Sequence, residues 1–119
     1  MGYPVVHFEI NTASQPELAR FYEGAFGWSM RPDGDDYTQI STNGVCAGTG
    51  APGIDGGIGP SDPGEDFVTF YVQVPDLEET LAKVVELGAE VELPPIEAGR
   101  IVFAIFRDPA GNRIGLVRG

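Results

Sequence analysis

The chain opens on an alternation. Val6, Phe8 and Ile10 fall on one side of an extended backbone, and Val5, His7 and Glu9 on the other, which predicts a strand with one apolar and one mixed face. After a loop at 11–13, Ser14-Gln15-Pro16-Glu17 has the form of a capping box with proline in the first turn. Leu18, Phe21, Tyr22, Ala25 and Phe26 then recur at helical spacing, and Gly27 stops the helix. Gly24 inside this stretch costs up to ~1 kcal/mol relative to alanine, so packing has to hold the helix. Short strands are predicted at 28–31 and 37–42, on either side of a turn at 32–36. The stretch 43–63, rich in Gly, Ala and Pro, reads as loop with one weak strand at about 54–58.

The same pattern then returns. Val68, Phe70, Val72 and Val74 form an apolar face, opposed by Thr69, Tyr71 and Gln73. Asp76 caps a second helix with Glu79 at the capping-box position. Leu77, Leu81, Val84, Val85 and Leu87 give its stripe and Gly88 its end. Strands follow at 90–93, 101–106 and 113–117, the last two joined by the turn 108–112. The order is strand–helix–three strands, twice, with the helix stops Gly27 and Gly88 offset by 61 positions. The expected fold is therefore α+β: one domain of two βαβββ modules, residues 1–59 and 67–119, joined by a polar linker at 60–66. Each helix is expected to cover the apolar face of its own sheet. The opposite faces, bearing His7 and Glu9 in one module and Thr69, Tyr71 and Gln73 in the other, should then line a groove or central cavity in a curved mixed sheet.

Composition narrows the function. Seven Lys+Arg against eighteen Asp+Glu give a net charge of −11, which argues against nucleic acid and anionic membrane surfaces as partners. No apolar run approaches the ~20 residues of a membrane span, and no signal peptide is apparent, so the expected location is the cytoplasm. The lone Cys46 cannot form an internal disulfide, and no His or basic residue beside it in sequence would activate the thiol. Gly48-Thr49-Gly50-Ala51-Pro52-Gly53 spells a dinucleotide-binding motif, but Pro52 lies inside it and no helix follows, so it reads as a flexible loop over the groove mouth. Phe26 and Trp28 are expected in the core.

Certain segments, in order, resemble the vicinal oxygen chelate superfamily, the glyoxalase, bleomycin-resistance and extradiol-dioxygenase group. They are Val6-His7-Phe8-Glu9-Ile10, Phe21-Tyr22, Phe26-Gly27-Trp28, Val74-Pro75-Asp76, Leu87-Gly88-Ala89 and the run from Phe106 to Asn112. The resemblance implies paired βαβββ modules around a cavity, and homodimers. It also implies, in metal-dependent members, a His on the first strand of a module and a Glu on its last strand. His7 matches the first of these positions; Thr69, Gly115 and the Gly56-Gly57-Ile58 segment stand where the others would be. No divalent metal is therefore expected, since Thr and Gly are poor ligands for a transition metal. A non-standard site from His7 and Glu9 stays open.

His7, the single histidine, reads either as a hydrogen-bonded groove residue or as a general acid or base. Glu9 reads as its orienter, raising the His7 pKa, or as a solvated rim carboxylate. Tyr71 could donate to a developing oxyanion or simply seal the cavity wall. Thr69, Gln73 and Arg113 are candidate ligand-binding residues, Arg113 either gripping a ligand carboxylate or pairing with a surface acid. The expected function is metal-independent proton transfer, of isomerase, lyase or cyclase type, on a small neutral or cationic molecule. The alternative is sequestration without catalysis, as in bleomycin-resistance proteins. A metal-dependent lactoylglutathione lyase or dioxygenase is opposed by the missing ligands, and the acidic field would also repel an anionic glutathione adduct.

Overall fold

A computed structural model describes residues 2–119. Among these the elements run β1 (Val5–Thr12), α1 (Gln15–Phe26), β2 (Ser29–Pro32), β3 (Thr38–Ser41) and β4 (Gly56–Pro60). The second set is β5 (Phe67–Val74), α2 (Leu77–Glu86), β6 (Glu90–Ala98), β7 (Ile101–Arg107) and β8 (Arg113–Arg118). The fold is α+β, with strand–helix–three strands occurring twice. The chain divides into two compact units, residues 7–68 and residues 69–119 together with the segment before His7.

In the unit 7–68 the strand order is β2-β3-β4-β1. β4 runs parallel to β1, with Glu9 opposite Gly57, and the other pairings are antiparallel, with Gln39 also opposite Gly57. β1 is longer than its alternation suggested and takes in Asn11 and Thr12, both buried. That extension undoes the expected first cap. The Ser14 side chain makes no capping bond; instead its backbone N–H donates to Thr12 Oγ1 (3.0 Å), whose hydroxyl donates to Asp66 (2.8 Å). Helix α1 also departs from its expected role. None of its described residues is buried, and Phe21 and Phe26 are 60 % and 61 % exposed. Its rings pack mainly on one another and on Trp28, which meets Phe8 of β1 at 5.5 Å. Phe26 is thus a surface residue and not the core residue expected.

In the other unit the order is β5-β8-β7-β6, with β8 parallel to β5 and the remaining pairs antiparallel. Here the helix does cover its sheet. Leu77 and Leu81 of α2 close a core with Val74, Ala104 and Leu116, each large side chain contributing roughly 1.5–3 kcal/mol by leaving water. The cap forms as read, Asp76 accepting the Glu79 N–H at 2.9 Å. The Pro4 carbonyl accepts from the Gln73 N–H (2.9 Å), tying the segment before His7 to β5. β6 runs on to Ala98, past the expected end at 93 and through the Pro94-Pro95 pair, with register shifts on both sides of Leu93. It stands last in the strand order of its unit, where prolines without N–H groups are tolerated.

Candidate functional site

Alternation along β1 places His7, Glu9 and Asn11 on one face and Phe8 and Ile10 on the other. On the first face the hydroxyl of Tyr37, just before β3, bridges two of these side chains. Tyr37 Oη donates to Glu9 Oε2 at 3.0 Å and lies 2.8 Å from His7 Nε2. A phenol has one proton. If Glu9 receives it, His7 Nε2 must carry the proton donated to Oη, and Nδ1 is the unprotonated nitrogen of the neutral ring. The strand β4 makes room for this arrangement. A Cβ built on Gly57 would overlap Tyr37 Oη, and one on Gly59 would come within 2.8 Å of Asn11 Oδ1.

The electrostatics of His7 differ from the expectation that Glu9 would raise its pKa. Burial lowers it below 6.5, and the charge of Asp55 opposes that shift without cancelling it. The desolvation of a half-buried ring outweighs the attraction, so the imidazole is neutral at pH 7. Next to this group the buried Asn11 Nδ2 has no hydrogen-bond partner. Sequence reading missed both Tyr37 and Asn11. The clue was Gly56-Gly57-Ile58-Gly59, because glycines in a strand mark a close approach by another group.

The other candidates lie in the unit 69–119. The registers Tyr71–Gly115 and Gln73–Val117 put Thr69, Tyr71 and Gln73 on one sheet face with Arg113 and Gly115. Tyr71 is 7 % exposed, packs against Gly115 and meets Phe103 edge-on at 6.1 Å. The Thr69 hydroxyl, also buried, donates to the Arg113 carbonyl at 2.6 Å. Gln73 packs over Gly119. Arg113 Nε donates to Glu92 Oε2 (2.8 Å), and Arg107 Nε to Glu92 Oε1 (2.6 Å), so one carboxylate spans two guanidinium groups.

A separate crevice of about 540 Å³ lies on the Phe8 side of β1, lined by Phe8, Trp28, Val45, Cys46 and Ile54 among others. The glycine-rich loop forms one wall. It is pinned by the Val45–Pro52 bridge and by the Cys46 N–H to Ala51 carbonyl bond (2.7 Å). The loop thus borders the face of β1 opposite His7 and Glu9, not the face on which it was expected. The segment 48–53 leads into β4 and not into a helix, so it lacks the geometry of a dinucleotide site.

A profile of the Glyoxalase/Bleomycin resistance protein/Dioxygenase superfamily matches residues 5–116. The chain belongs to that superfamily. A Mycobacterium tuberculosis (strain CDC 1551 / Oshkosh) protein named as a candidate glyoxylase, CFP32, is 28 % identical over 91 % of this chain and 42 % of its own length. The anthracycline biosynthesis protein DnrV of Streptomyces peucetius is 30 % identical over 93 % of this chain and 45 % of its own. The chain therefore spans less than half the length of these curated relatives. Among solved structures, methylmalonyl-CoA epimerase in complex with methylmalonyl-CoA and NH4+ has a TM-score of 0.67 at 14 % identity, covering 98 % of this chain and 94 % of that one. A hypothetical protein from Bacillus halodurans C-125 has a TM-score of 0.69 at 13 % identity, covering 100 % and 96 %. These two likenesses concern the fold. Among the described residues no helix is long and apolar enough to cross a membrane.

The divalent ion of metal-dependent superfamily members does not fit the residues present. No group of three or more His, Cys, Asp or Glu able to hold a metal occurs among the described residues. The unmet atom beside His7 and Glu9 is an amide N–H donor, which a cation cannot satisfy.

Proposed function

We propose that the chain acts on a small neutral or cationic molecule by moving a proton next to a carbonyl, in an isomerisation, elimination or cyclisation, without a divalent metal. The observation that carries this reading is the Tyr37 hydroxyl joining His7 Nε2 to Glu9 Oε2, on an imidazole that burial keeps neutral. Neutral imidazole is the form that accepts a proton at pH 7. When the ring of His7 takes a proton from the substrate, its Nε2 proton passes to Tyr37 Oη. The Tyr37 proton passes to Glu9, which ends as the neutral acid. Reprotonation of the product reverses the relay. In the unit 69–119, Tyr71, Thr69, Gln73 and Arg113 are proposed separately as ligand-contacting residues, Tyr71 as a hydrogen-bond donor. Anthracyclines are a candidate ligand class, because one relative is an anthracycline biosynthesis protein. The net charge of −11 favours a cationic ligand over an anionic one. The same reading takes the protein as a cytoplasmic homodimer.

The test is proton exchange in D2O on a panel of neutral and cationic carbonyl compounds, anthracyclines included, followed by loss of the proton signal next to the carbonyl. Wild-type protein is expected to accelerate exchange, and His7→Ala to slow it on the order of 10²-fold, the scale of a general base. Equal rates in the two proteins would overturn the assignment. Sequestration is the second reading, favoured by the crevice beside Trp28, the only tryptophan. Saturable change in Trp28 fluorescence with no exchange of the bound compound would assign it.

A further inference from the structure

The superfamily resemblance places a metal-ligating carboxylate at Gly115 in one half of this chain and within Gly56-Gly57-Ile58 in the other, where Gly57 is the residue paired with Glu9. Gly57 lies on β4, opposite Glu9 of the first strand; Gly115 lies on β8, opposite Tyr71. Neither glycine faces open space. A Cβ on Gly57 would overlap the hydroxyl end of Tyr37, and a Cβ on Gly115 would overlap the body of the Tyr71 ring near its root. Overlap with a ring body is not relieved by swinging the tip of a side chain, and Tyr71 is almost wholly buried. We infer that in each half a tyrosine packed on a glycine has taken the space of the carboxylate ligand, so that the position is closed to a divalent metal by packing and not merely by loss of a side chain. The inference stands whether or not His7 turns over a substrate.

The donor chemistry agrees with the packing. In the half containing His7, the nitrogen facing Tyr37 is engaged by the phenol at 2.8 Å. The same phenol donates to Glu9 (3.0 Å), the carboxylate closest in sequence to His7 that could join it on an ion. A metal entering there would have to displace Tyr37 from both partners and would still find no side chain at Gly57. Even with Asp55, whose charge also acts on His7, no set of three His, Cys, Asp or Glu able to hold a metal forms among the described residues, whereas zinc sites use three or four protein ligands. In the other half Thr69 and Tyr71 offer a hydroxyl and a phenol, and the Thr69 hydroxyl is committed to the Arg113 carbonyl. Neutral hydroxyls are weak ligands for first-row divalent ions.

The test uses the full chain and the metals themselves. After dialysis against chelator, Zn²⁺, Ni²⁺, Co²⁺ and Mn²⁺ are added singly. Bound metal is measured by elemental analysis, and the His7 imidazole is followed by NMR, where one histidine gives one unambiguous set of signals. Wild type is expected to hold no stoichiometric metal and to show no saturable His7 shift. A second protein, carrying Tyr37→Ala and Gly57→Glu together, opens the space and restores a carboxylate next to His7 and Glu9. It is expected to bind Zn²⁺ roughly tenfold or more tighter than wild type, the scale on which a metal-site partner acts, with circular dichroism confirming that it is folded. One equivalent of metal bound through His7 in wild type would overturn the inference. So would a folded double variant that binds Zn²⁺ no better than wild type.

Discussion

Tyr37 is the residue on which the chemistry of His7 and Glu9 converges. Replacing it with phenylalanine removes a hydroxyl that serves two part-buried groups while leaving the ring on Gly57. The expected loss is about 1–3 kcal/mol, the cost of leaving such groups unsatisfied, read as a lower denaturant midpoint. The lowered pKa of His7 also fixes the sign of a pH effect. The unfolded chain takes up the His7 proton near 6.5, and the folded chain only at lower pH. The contribution of His7 to stability is therefore complete above 6.5 and is lost as the pH falls from there through the folded pKa. Urea titrations of wild type and His7→Gln should differ in their pH dependence across that window. Identical slopes would contradict the burial argument. Sequence alternation was enough to put His7 and Glu9 on one face. It could not supply Tyr37, which arrives from 28 positions beyond Glu9 and whose place depends on a glycine in a third strand.

The two helices share a sequence pattern and differ in what holds them. Asp76 sits in an extended conformation and caps α2, whereas Ser14, with φ −114° and ψ 53°, makes no cap to α1. Asp76→Ala should therefore cost about 1 kcal/mol, and Ser14→Ala no more than a few tenths. Comparable losses would show that Ser14 caps after all. Both starts were legible as capping boxes. The failure of the first comes from β1, which runs on to Thr12 and recruits the Ser14 N–H to the threonine hydroxyl. In β8, Gly115→Ala should cost roughly 1–3 kcal/mol by overpacking against Tyr71. The same change in a Tyr71→Ala background should cost much less, since the two sites are in contact and their effects are not additive. Additive losses would mean that the ring does not rest on the glycine. Residues 43–55 resisted sequence reading because their order comes from backbone pairing and the Thr42–Asp55 bond (2.9 Å), neither of which leaves a hydrophobic period.

For the whole chain, a repeat of about sixty residues was legible from two helix stops and two alternating strands, and the structure has strand–helix–three strands twice. The halves nevertheless divide their tasks. One has a helix seated on a closed apolar core, and the other a helix whose aromatic residues remain largely at the surface. That difference was not legible, because Leu18, Phe21, Tyr22 and Phe26 have the spacing of a buried stripe and burial is decided by what lies opposite. The charge of −11 acts on the whole molecule, and affinity for a cationic ligand should weaken as salt is raised. Salt-independent binding would remove charge from the account of specificity. The claim on which the functional reading rests is that His7 is a half-buried neutral base wired through Tyr37 to Glu9, and NMR of the single histidine tests it most directly. The prediction is a pKa below 6.5, the Nε2–H tautomer at pH 7, and loss of that tautomeric preference in Tyr37→Phe. A His7 that is charged at pH 7, or that carries its proton on Nδ1, would contradict it.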